Sequence, residues 1–153
     1  KVLEAAIHVR DALAASDLTG FAKTSGGVGL HVFVPLAPAL PFETVREWVH
    51  GVAERLAEQH PDLIATASGG THAGTKVTID HAQNSIGRNT AAPYTLRARA
   101  GAPASTPVSW DEVERGQIRP DQFTLKTVPK RVDKLGDLWA DARKQRPKLP
   151  IDA

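Results

Sequence analysis

Cysteine and methionine are both missing from this 153-residue chain. Without cysteine there is neither a disulfide framework nor a thiolate metal site, so packing and hydrogen bonds must hold the fold together. Aromatic residues are scarce, at 5%, which leaves the core to aliphatic side chains. No apolar run approaches the roughly 20 residues that a membrane-spanning helix needs. The opening Lys1-Val2-Leu3-Glu4-Ala5-Ala6 has no long apolar stretch followed by a small-residue cleavage site, so it is not a secretory signal. An initiator methionine is absent as well, which predicts that residue 1 is not the natural start. Strong charge of one sign is also lacking. The formal net charge is +2, too small by itself to announce a nucleic-acid binder. A soluble intracellular protein is the simplest reading.

What is present suits one domain. Apolar residues make up 41% of the chain, enough for a single core at this length. No internal repeat and no domain boundary is visible. Basic residues are concentrated after Arg88, and the cluster Lys144-Gln145-Arg146-Pro147-Lys148 reads as a solvated helix end and tail.

Periodicity divides the chain into helices and short strands. Residues 2–16 read as an amphipathic helix with Leu3, Ala6, Ile7 and Leu13 on one face and Arg10 out of character among them. Phe21-Ala22-Lys23 predicts a short strand, and residues 24–29 a Gly-rich loop. Leu30–Leu36 alternates as a strand, with Leu30, Val32 and Val34 on one face and His31 and Phe33 on the other. Pro35 marks its end. Phe42–His60 is a long helix stopped by Pro61. Residues 67–75 are a loop, Lys76–Asp80 a second strand, 84–92 another loop and Tyr94–Arg99 a third strand. Gly101–Pro107 is a turn-rich connection. Ser109 caps a short helix at Trp110–Glu114. Phe123–Val128 is extended, and Pro129–Arg143 is a last helix with proline in its first turn.

Three segments put polar groups on or beside these strands. In Ser25-Gly26-Gly27-Val28-Gly29-Leu30-His31, a Gly-rich turn lets backbone N–H groups approach an anion. It is not a Walker loop, since a strand follows and no Gly-Lys-Ser/Thr is present; alone, such a turn is more often only a turn. Asp80, at the end of an apolar strand, is rigidly placed for a hard cation such as Mg²⁺, or it initiates or caps a turn. Arg97 and Arg99 at strand spacing reach one side and can clamp a phosphate, or they simply line a solvent-exposed sheet face.

Three stretches occur in a telling order and spacing. They are Lys23-Thr24-Ser25-Gly26-Gly27-Val28-Gly29-Leu30-His31-Val32, Ile79-Asp80-His81-Ala82-Gln83-Asn84 and Thr90-Ala91-Ala92-Pro93-Tyr94-Thr95-Leu96-Arg97-Ala98-Arg99. Together they resemble the polymerase domain of bacterial ligase D, a branch of the archaeo-eukaryotic primase superfamily. The ending, Ser105-Thr106-Pro107 and Phe123-Thr124-Leu125-Lys126-Thr127-Val128-Pro129, is similar too, so the resemblance covers nearly the whole chain. It implies an α+β fold, a mostly antiparallel sheet with flanking helices. It also implies two-metal nucleotidyl transfer with Mn²⁺ or Mg²⁺, in which three acids hold the ions. By the resemblance, Asp80 is the third of those acids and a metal ligand. His31 touches the incoming nucleotide's phosphates, and Ser25 bonds the triphosphate. Gln83, Arg97 and Arg99 stand around the nucleotide and the acids. His31 and Asp80 are then expected on neighbouring strands of one sheet face.

The implied activity is extension or filling of DNA ends with NTPs or dNTPs in non-homologous end joining. The implied partners are 5′-phosphorylated, gapped or overhanging DNA ends, an ATP-dependent ligase domain and a Ku-like end-binding protein, in the bacterial cytoplasm at the nucleoid, with no membrane. Departures from the family pattern are specific. Val28 and Ala73 stand where the family often has Lys and Arg, with Lys76 a displaced substitute, which predicts weaker or differently seated nucleotide. No Asp-x-Asp pair occurs, although the family places one shortly upstream of the first helix to supply the other two metal ligands. Residues 1–153 are therefore expected to be a primase-polymerase domain incomplete at its N-terminus and unable to polymerise alone. The alternative is a catalytically inactive DNA- or nucleotide-binding module of the same fold.

Overall fold

The computed structural model describes residues 1–66 and 75–151. Among them, α1 (Val2–Ala14), β1 (Phe21–Thr24), β2 (Leu30–Phe33), α2 (Phe42–Gln59), β3 (Ile64–Ala65), β4 (Val77–Thr78), β5 (Pro107–Val108), α3 (Trp110–Glu114) and α4 (Val128–Leu135) follow in order. The fold is mixed: an antiparallel sheet β2-β1-β5, a short parallel pair β3-β4, and helices packed against both.

Helix α1 is apolar on more than one face, and it joins three cores. Ala6, with Leu3 and Ile7, packs into a core with Ala22, Val108 and Phe123. Ala5 packs against Val52, Leu56 and Ile64. Leu13 and Val9 pack against Leu18 and Leu149. Arg10 is the charged residue on the expected apolar face. Its guanidinium pairs with Glu114 and lies 5.5 Å from the ring centre of Trp110, so it ties α1 to α3 instead of entering the core.

The β1–β2 register explains how the site is built. Ala22 stands opposite Val32, Lys23 opposite His31 and Thr24 opposite Leu30. Opposed residues share a face. Leu30 and Val32 join the apolar cores, which leaves Lys23, His31, Phe21 and Phe33 on the other face. Trp139 covers part of that face, with ring centres 5.4 Å from Phe33 and 6.2 Å from Phe21. On the far side of α1, helix α2 buries Val52, Ala53 and Leu56 and ends at His60, just before Pro61.

Several expectations need correction. The strand expected at Lys76–Asp80 shrinks to Val77–Thr78, paired in parallel with β3, which periodicity did not reveal. His31 lies on β2, whereas Asp80 follows β4 outside any strand, so the two are not on adjacent strands. The segment Tyr94–Arg99 is no strand, because Tyr94 has a φ of +66° and the chain turns again at Arg99, whose N–H bonds the carbonyl of Arg97. A looser antiparallel ladder replaces it: Leu96 bridges Ala104, and Pro103 bridges Thr124. Only the first part of 123–128 is thus extended. The connection before Pro107 ends in strand β5 on β1. The last helix stops at Leu135 instead of Arg143, because Gly136 at a φ of +73° ends it. The loop expected at 67–75 and the departure at Ala73 lie, apart from Thr75, outside the described residues. The cap at Ser109 is present as a full capping box with Glu112.

Candidate functional site

The loop between β1 and β2 is a closed turn around one hydroxyl. Ser25 N–H donates to the Gly29 carbonyl at 3.0 Å. Gly27 N–H and Gly29 N–H donate to Ser25 Oγ at 3.1 and 3.2 Å. Two of the amides expected to greet an anion thus point at Ser25 Oγ, which leaves the proton of that hydroxyl to donate elsewhere. Val28, where a Lys was the family expectation, sits at the tip and is 82% exposed.

Two arginines press on this loop. Arg97 lays its side chain across Gly26, which has a φ of +72°, and its Nη1 donates to the Ser25 carbonyl at 3.3 Å. Arg99 brings its Nη1 over Gly27, where an added Cβ would lie 2.9 Å away. The pair expected to share a face by strand alternation does converge, but through a turn. Backbone bonds hold that turn: Tyr94 N–H to Ser105 O at 2.6 Å, Ser105 N–H to Thr95 O at 2.9 Å and Arg97 N–H to Pro103 O at 2.8 Å.

Beneath the loop lies a residue that periodicity did not single out. Lys23 is completely buried. Its Nζ is 2.9 Å from His31 Nδ1 and 2.5 Å from Ser105 Oγ, and it lies 5.3 Å from the ring centre of Phe33. The available signal was a lone cation between Ala22 and Thr24 in an otherwise apolar strand. Burial lowers the Lys23 pKa to about 8, with Arg97 adding to the effect. Burial likewise lowers that of His31 to about 4, helped by Lys23 and Arg97. His31 is therefore neutral at pH 7. Among the described residues no carboxylate pairs with Lys23, Arg97 or Arg99. A hydroxyl, an imidazole and two guanidiniums thus gather where an anion would supply the missing counter-charge.

Asp80 and Gln83 lie on the segment that follows β4. Asp80 is exposed, precedes a 3-10 turn at His81–Gln83 and makes no side-chain cap bond, so its carboxylate is free of the structural job that a capping Asp performs. The turn rests on α2, where the rings of His81 and His50 lie 4.3 Å apart. Gln83 spends its amide on the following loop, donating to Asn89 O at 3.0 Å and Thr90 Oγ1 at 2.9 Å. Among the described residues no three His, Asp or Glu side chains gather to hold a metal.

Comparison with known proteins bears on this arrangement. The family model of the LigD primase-polymerase domain matches residues 1–139. The multifunctional non-homologous end joining protein LigD of Pseudomonas aeruginosa is 36% identical over 126 residues, covering 81% of this chain and 15% of its own length. Its counterpart from Mycolicibacterium smegmatis is 36% identical over 141 residues, covering 92% of this chain and 18% of its own. The solved polymerase domain of Mycobacterium tuberculosis ligase D, in complex with DNA, superposes with a TM-score of 0.86 at 32% identity. That match covers 95% of this chain and 50% of the solved one. The chain thus spans about half of that domain and under a fifth of these two relatives.

Proposed function

The chain belongs to the LigD primase-polymerase family, and on that footing we propose that it carries the nucleotide-phosphate wall of a nucleotidyltransferase acting on DNA ends in non-homologous end joining. The reaction adds NTPs or dNTPs to gapped or overhanging 5′-phosphorylated ends. A Ku-like end-binding protein and an ATP-dependent ligase domain are its partners. The observation that carries this reading is the convergence of Ser25, His31, Arg97 and Arg99 around one loop without a carboxylate among them.

Each group has a distinct part. The guanidiniums of Arg97 and Arg99 supply charge and paired donors to phosphate oxygens. Ser25 donates the one hydroxyl proton that its loop leaves free. His31, neutral and half-buried, adds a directed donor and no charge. The family implies Mn²⁺ or Mg²⁺, which would neutralise phosphate charge and activate the attacking hydroxyl. Asp80, unpaired among the described residues, offers one carboxylate to such an ion. One carboxylate does not make a two-ion site, so the described residues do not fit the metals on their own. That same count favours a second reading, a module that binds nucleotide or DNA without chemistry.

Calorimetric titration with ATP tests the proposal. Replacing both Arg97 and Arg99 with Ala is expected to weaken binding at least tenfold, since charge-assisted hydrogen bonds are worth about 1.5–3 kcal/mol each. The paired change Arg143→Ala and Arg146→Ala removes the same charge from the tail and leaves affinity near that of the parent. Equal losses from both pairs, or none from the first, would overturn the reading.

A further inference from the structure

Lys23 has three N–H donors and no acceptor when charged. Two of them meet His31 Nδ1 and Ser105 Oγ, and the charge lies 5.3 Å from the ring centre of Phe33. The direction of this chain of bonds is set from its far end. The Thr24 carbonyl oxygen can only accept, so Ser105 donates its hydroxyl proton there, at 2.6 Å. Ser105 Oγ then has a lone pair for Lys23. The ammonium has no lone pair to return, so His31 Nδ1 must be an acceptor. A neutral imidazole that accepts at Nδ1 carries its proton on Nε2. Doubly protonated His31 would set N–H against N–H across 2.9 Å, which excludes it at neutral pH.

We propose that Lys23 is a positioning residue that fixes His31 as its Nε2–H tautomer, so that the imidazole presents a donor to a phosphate oxygen of the bound nucleotide. The identity of that ligand rests on the function proposed above; the tautomer follows from the contacts alone. An imidazole of the other tautomer would leave Nε2 a lone pair, which repels a phosphate oxygen. The strand register enforces the pairing, because Lys23 and His31 are cross-strand partners in an antiparallel ladder. Burial of Lys23 and its bond to Ser105 keep the amine from swinging away.

Long-range ¹H–¹⁵N spectra of the histidine-labelled chain at pH 7 test this directly, with the His31 signals identified by their loss in His31→Gln. The parent should show His31 wholly as the Nε2–H form. Lys23→Met, close in shape but without donors, should give a mixture of tautomers, and Lys23→Arg should restore the parent pattern. ATP affinity should fall roughly tenfold in Lys23→Met, the size of one charge-assisted bond, and recover in Lys23→Arg. If Lys23→Met fails to fold, the parent spectrum still decides, and Ser105→Ala tests the same relay from its other end. His31 found as the Nδ1–H form, or an unchanged tautomer in folded Lys23→Met, would overturn the inference whatever nucleotide does. A tautomer change with ATP affinity untouched would keep the relay but overturn the nucleotide as its ligand, and with it the reading above.

Discussion

Gly26 has no side chain where Arg97 needs room: a Cβ on Gly26 would overlap Arg97 Cγ. Its φ of +72° already disfavours any residue with a Cβ. Gly136 has nearly the same φ, +73°, with nothing within 4 Å of an added Cβ. The two positions therefore separate backbone strain from site geometry. Gly136→Ala should cost about 1–3 kcal/mol of stability and leave ATP affinity unchanged. Gly26→Ala should cost at least as much in urea unfolding and also weaken ATP binding, because Arg97 must leave its seat. Equal ATP affinity in the two variants would show that Arg97's packing on the loop is irrelevant to binding.

The loop and the arginines were legible in the sequence because their spacing is local and their chemistry unambiguous. Residues 25–31 and 97–99 each bring their groups together within a few positions. The way they meet was not legible. Alternation predicted a strand at Tyr94–Arg99, but positive φ at Tyr94 and Ala102 turns that segment onto the Gly loop. Neither residue type advertises a left-handed conformation. Lys23 escaped notice as a site residue for a related reason. Its partners Ser105 and His31 come from elements that meet only in three dimensions, 82 and 8 residues away along the chain. The adjacent strands expected for Asp80 and His31 did not form because a two-residue strand pairs with Ile64–Ala65 and ends before Asp80.

A second prediction concerns the clamp behind the site. Arg131 makes two bonds of 2.6 Å to the Glu112 carboxylate, which also accepts from Ser109 N–H at 2.9 Å. Burial alone would raise the Glu112 pKa; the bonds from Arg131 and Ser109 outweigh it and hold the group below its ordinary 4.5. A carboxyl whose folded pKa is depressed stabilises the fold fully above the unfolded value and loses that contribution as pH falls through the folded one. The parent should therefore lose stability below about pH 4.5 faster than Glu112→Gln does. At pH 7, Glu112→Ala should cost about 3 kcal/mol, since it strands a largely buried guanidinium and removes the Glu112 half of the capping box. Urea midpoints for the three proteins at pH 7 and pH 3 check both the size and the sign. Parallel pH profiles for parent and Glu112→Gln would show that the pair does not couple to acid unfolding.

The last prediction follows from counting ligands. Two divalent cations a few ångströms apart repel strongly and need bridging carboxylates to sit together. Asp80 is exposed and has no ion-pair partner among the described residues, while Asp11 pairs with Arg10 at 2.8 Å on α1 and Asp17 follows that helix at a φ of +56°. Residues 1–153 are expected to bind ATP, with affinity that falls as salt rises because guanidiniums dominate the contact. They are expected not to extend a primer in the presence of MnCl₂. Asp80→Asn should leave metal-free ATP affinity unaltered, whereas Arg97→Ala with Arg99→Ala should lower it. Template-directed extension by the parent chain, abolished by Asp80→Ala, would show instead that carboxylates assigned here to helix α1 and its end do reach the nucleotide.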